Sequence, residues 1–133
     1  MSASYVRNLV RTWCGQTAAA VSVPFFDTVN QEQKPTDDRW FSVRFGADYH
    51  EGNFCEAAFL ENGFIEVMVF ARAGTGDIQA VVALEAIVPD LMSKVDPSNR
   101  LKLESYEPIR EASDGSAESH YRVSSAINYL HQL

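Results

Sequence analysis

The sequence predicts an α+β fold: a mixed or antiparallel β-sheet of about four to six strands, two helices packed on one face, and one β-hairpin. Three observations carry that prediction. Two stretches repeat apolar residues at spacings of three and four, several shorter stretches alternate apolar with polar residues, and the order is helix, strands, helix, strands. A chain of 133 residues with 46% hydrophobic content is the size of one domain, and a chain of that length buries roughly two thirds of the surface its unfolded form exposes. With 22% charged and 11% aromatic residues, it lies far from the compositions that stay disordered.

The first helix is read from Ser4, a capping residue, with Tyr5, Val6, Leu9, Val10 and Trp13 on one stripe. Gly15 weakens it, Gln16 to Ala20 extend it, and Val21 and Val23 before Pro24 end it. A short strand is expected over Val23–Thr28, then a polar loop over Val29–Arg39 that holds Pro35, Asp37 and Asp38. From Trp40 to Phe45 the chain alternates, with Phe41, Val43 and Phe45 opposite Trp40, Ser42 and Arg44. A loop over Gly46–Gly52 and a strand over Asn53–Leu60 are expected next. Glu61-Asn62-Gly63 reads as a type I′ hairpin turn, because Asn-Gly supplies its positive φ values. The return strand Phe64–Ala71 is apolar on both faces apart from Glu66, which places it near the centre of the sheet.

After the turn Ala73–Gly76, Asp77 caps a second helix whose stripe is Ile78, Val81, Val82, Ala86, Val88, Leu91, Met92 and Val95. Pro89 is expected to kink or break it. Leu101–Glu104 reads as a short strand, Pro108–Glu118 as a turn, and His120–Leu130 as a strand. No internal repeat divides the chain, so residues 1–133 are read as one domain.

The net charge of −7 opposes binding to phosphate backbones, which depends on Lys and Arg displacing condensed counterions. No apolar run approaches the roughly 20 residues that span a bilayer. Arg7 and Arg11 interrupt the apolar pattern of the N-terminus, so no signal peptide is read and residence in the cytoplasm is expected. Cys14 and Cys55 share no metal-binding spacing and are expected to be buried thiols.

No catalytic, cofactor-binding or metal-binding residues are assigned. His50, Glu51 and Cys55 lack the paired cysteines of zinc sites, and His120 and His131 have no carboxylate pair or cysteine cluster near them in sequence. No G-x-S-x-G or S-x-x-K presents a nucleophilic serine. Gly74-Thr75-Gly76 lacks the third glycine and lysine of phosphate loops, and Asp77 would repel phosphate there. Asp37, Asp38 and Asp48 read as solubilising loop acids. Glu66, among Phe64, Met68 and Phe70, must be paired, neutralised or exposed, and it is the one residue that would suit a rival reading as a small-ligand carrier or enzyme.

The order and pattern of VRNLVRTW, RWFSVRF, GFIEVMVFARAGTG and YRVSSAINY resemble the tail terminator proteins of long-tailed phages. That resemblance spans nearly the whole chain. It implies a non-enzymatic virion subunit, assembled in the bacterial cytoplasm. The subunit would form a six-membered ring on the head-proximal end of the tail tube, stop its polymerisation and meet the head connector. Its partners would be itself, the tube protein and the connector, with DNA only passing through the lumen and no membrane or cofactor. The acidity would then keep DNA from adhering to the channel. A head-tail completion or minor tail protein is the nearest alternative. The candidate assembly residues lie in the two long expected loops and just after them: Gln31, Lys34, Asp37, Asp38, Tyr49, His50, Glu51 and Asn53.

Overall fold

The computed structural model describes residues 2–27, 39–51, 60–72, 77–112 and 120–132. Its elements run α1 (Ser2–Val21), β1 (Arg39–Glu51), β2 (Leu60–Arg72), α2 (Asp77–Met92), β3 (Leu101–Tyr106), β4 (Arg110–Ala112) and β5 (His120–Gln132). This is an α+β fold, as the patterning implies. The strand order is β1-β2-β5-β3, with β4 also paired to β5, and all strand pairings are antiparallel.

α1 turns Val6, Val10, Trp13 and Cys14 into the core together with Thr17, which is the stripe read from the sequence carried one turn further. It already includes Ser2, so Ser4 lies in its first turn and does not cap it. Ser22, at φ 60°, ends it. The strand expected over Val23–Thr28 reduces to one parallel bridge, Phe25 opposite Phe41. Phe41 N donates to Pro24 O and Phe26 N to Phe41 O, both at 2.9 Å. Pro24 has no N–H to extend that ladder, and Thr28 lies outside the described residues.

Two further expectations fail at glycines. β1 does not end at Phe45: the loop expected over Gly46–Gly52 is strand as far as Glu51, with an irregularity between Ala47 and Tyr49. Nor do Asn62 and Gly63 form a turn. They lie inside β2, Asn62 opposite Tyr49 and Leu130, and Gly63 opposite Ala47 and Tyr129. The reason is packing. A Cβ at Gly46 would collide with the Phe64 ring, and one at Gly63 with the Tyr129 ring, so each glycine admits a cross-strand aromatic. The β1–β2 connection and most of the strand expected over Asn53–Leu60 fall in residues 52–59, outside the described residues.

β2 is an interior strand, as its two apolar faces require. Ile65, Val67, Val69 and Ala71 are buried under the helices, and Met68 is buried on the opposite face. β5 lies beside it with Val123, Ser125, Ile127, Tyr129 and His131 on the helix side. β3 faces β5 residues 127–131, and β4 faces 122–124 on the same edge. Residues 101–112 are therefore one edge run interrupted around Pro108. The interruption is held by Glu107 N donating to Ala126 O at 2.8 Å and Ser125 Oγ donating to Glu107 O at 2.7 Å. β4 lies within the span expected to be a turn over Pro108–Glu118, whose residues 113–118 lie outside the described residues.

α2 continues through Pro89 to Met92 without the expected break. Its buried stripe is Ala80, Ala83, Leu84, Ile87, Val88 and Leu91, whereas Ile78, Val82 and Val95 are 71%, 54% and 77% exposed. The stripe expected from spacing mixed the two sides. The helix is apolar nearly all round, so spacing fits two overlapping stripes and only packing selects between them. Both helices share one buried cluster with Phe41, Val43, Ile65, Val67, Val69, Val123, Ile127 and Tyr129, and side chains such as Leu84 and Ile87 contribute about 1.5–3 kcal/mol each on burial.

Candidate functional site

Of the candidate assembly residues, Gln31, Lys34, Asp37, Asp38 and Asn53 lie outside the described residues. Tyr49, His50 and Glu51 are not loop residues but the end of β1, paired with Asn62, Glu61 and Leu60. The long strand replaces the loop because both glycine signals are packing sites.

The sheet face away from the helices carries an aromatic group and an ion-paired groove. Trp40 stacks on Phe70 at 4.1 Å and meets Phe26 edge-on at 5.3 Å. Further along, Arg44 and Glu66 are cross-strand partners joined at 2.6 Å. Glu66 is thus the paired carboxylate that an apolar face demands, and its isolation in the sequence needs no ligand. With Phe64, Glu107, Arg110, Ala126 and Asn128 the pair lines a groove of about 310 Å³, where Arg110 also bonds Glu107 at 3.1 Å. The charges are matched within the groove.

A second polar cluster ties α1 to the turn between α2 and β3. Asp96 accepts from Tyr5 Oη at 2.7 Å, from Ser98 N at 3.0 Å, and from Arg100 N and Leu101 N at 3.0 and 2.9 Å. Desolvation pushes this carboxyl upward, but the hydrogen bonds from Tyr5, Leu101 and Ser98 prevail and bring it from 3.8 to about 2. Every strong acceptor position is used, so the group organises the turn, where Asn99 has φ 60°. Tyr5 stacks on His131 at 5.3 Å. Burial lowers the His131 pKa against the opposing pull of Glu61. Among the described residues no three His, Cys, Asp or Glu side chains converge as a metal site. Cys14 is a buried free thiol, raised to about 12 chiefly by burial.

The third feature is a cleft of about 440 Å³ between α2 and the interrupted edge run, floored by Leu84, Val88 and Ser125 and walled by Glu85, Pro89, Tyr106 and Ile109. The large hydrophobics exposed among the described residues are Ile78, Val82, Val95, Tyr106 and Ile109. All lie on α2 or the chain that follows it, and Ile78, Val82, Glu85 and Pro89 continue one stripe of α2 at helical spacing. Sequence reasoning missed this flank. Its signal was the surplus of apolar positions on α2, more than one buried stripe accounts for. No helix among the described residues is long and apolar enough to cross a membrane.

No family model matches the chain, and no curated protein matches it in sequence.

Proposed function

We propose that this protein is a structural subunit of a phage tail, a terminator that forms a ring on the head-proximal end of the tail tube and joins it to the head connector. The sequence resemblance motivates the reading. The observation that carries it is the apolar flank: Ile78 and Val82, 71% and 54% exposed, lie on the same helix as Glu85 and Pro89, which line a cleft with Tyr106, itself 59% exposed, and large hydrophobics exposed in this way mark a protein contact. The subunit works by shape, docking on its own copies, the tube protein and the connector, while DNA passes through the lumen. The net charge of −7 favours passage without adhesion.

The test is electron microscopy of the purified protein alone and after mixing with tail tubes. Six-fold rings and tube ends capped at fixed length are expected. Absence of rings at all concentrations, with tubes that grow on regardless, removes the proposal. Capping of the connector but not of the tube would assign the protein to head-tail completion instead.

A further inference from the structure

Resting on that assembly reading, we propose that copies dock head to tail, the α2 flank of one copy against the α1–β1 flank of the next. The two helices carry opposite charge. α1 holds Arg7 and Arg11 and no acidic residue, whereas α2 holds Asp77, Glu85 and Asp90 and no basic residue.

The two helices pack side by side on one face of the sheet, joined where Thr17 Oγ1 donates to Asp90 at 2.6 Å, but their outer flanks look toward different strands. Arg7 and Arg11 lie over the ring of Phe45 on β1, at 5.0 and 5.8 Å, while α2 packs on β2, β5 and β3. In a sheet ordered β1-β2-β5-β3, Arg7 over Phe45 stands at the β1 edge, and the cleft beside α2 is closed by Tyr106 and Ile109 at the other. On the first edge Arg11 is already engaged with Asp27 at 2.8 Å, which leaves exposed Arg7 as the projecting charge, with half-buried Phe45 beneath it. On the second, Glu85 sits at the wall of the apolar cleft and is exposed.

Charge decides which surface occupies the cleft. Face-to-face docking of two α2 flanks would set Glu85 near Glu85 on a chain that is already −7, which is repulsive. Docking on an α1 flank sets Arg7 and Phe45 against Glu85 and the apolar wall. A contact between two different patches repeats from copy to copy and closes into a ring when the rotation allows.

The experiment uses the full chain and measures mass by light scattering and native mass spectrometry over a range of concentrations. Arg7→Glu and Glu85→Arg, each at an exposed site and checked for folding by circular dichroism, are each expected to weaken assembly at least tenfold. An equimolar mixture of the two, or both changes in one chain, recovers it, because each altered flank again meets its opposite. Single variants that assemble like the wild type, or a mixture that stays dissociated, overturn the pairing while leaving ring assembly standing. A wild-type chain that is monomeric throughout and leaves tail tubes uncapped overturns the assembly reading itself.

Discussion

Replacing Asp96 with Asn removes a carboxylate that gathers donors from Tyr5, Ser98, Arg100 and Leu101 while keeping the side chain's size. Asp96 is 3% exposed, so solvent screens these bonds little. A carboxyl brought from 3.8 to about 2 stabilises the folded state by roughly 2 kcal/mol at neutral pH, at about 1.4 kcal/mol per pKa unit. The sign follows from the direction of the shift. A pKa lower when folded gives stability that is complete above the unfolded value of 3.8 and is lost as pH falls toward 2. Urea unfolding followed by circular dichroism at pH 7 should place the midpoint of Asp96→Asn about 1 M below that of the wild type. By pH 2 the part of the gap due to ionisation should fall below about 1 kcal/mol. A gap of the same size at both pH values, or none at pH 7, would refute this account of the turn.

Two further outcomes follow from packing. Gly63→Ala should cost about 1–3 kcal/mol in chemical denaturation because the Tyr129 ring it meets is itself buried. Gly46→Ala should cost less, since the half-buried Phe64 ring can swing aside; equal losses would contradict the distinction. In a Cys55→Ser background, Cys14, with its pKa pushed to about 12, should resist a disulfide-exchange reagent at pH 8 until the protein unfolds, and rapid labelling of the native state would show the thiol to be accessible.

The fold class was legible because it depends on periodicity. Val6, Val10 and Trp13 announce α1, and the two apolar faces of Phe64–Ala71 announce an interior strand. What misled was glycine. In a single sequence Gly46 and Gly63 look like turn residues, but each faces an aromatic on the neighbouring strand, and that partner is visible only once strands are in register. The same limit hid the cleft, whose walls Glu85 and Tyr106 come from elements far apart in sequence. On α2 the sequence offered apolar residues on both sides, and nothing local told Leu84 and Ile87 from Ile78 and Val82. The loop reading of Tyr49, His50 and Glu51 failed with the glycine that opened it.

The passage of α2 through Pro89 has a chemical consequence. Proline offers no hydrogen to the carbonyl one helical turn earlier, and that carbonyl belongs to Glu85, a wall residue of the cleft. The Glu85 carbonyl thus lacks its usual helical donor, at a fixed backbone position beside the exposed carboxylate. An arginine, with several N–H groups on one plane, is the side chain able to satisfy both at once.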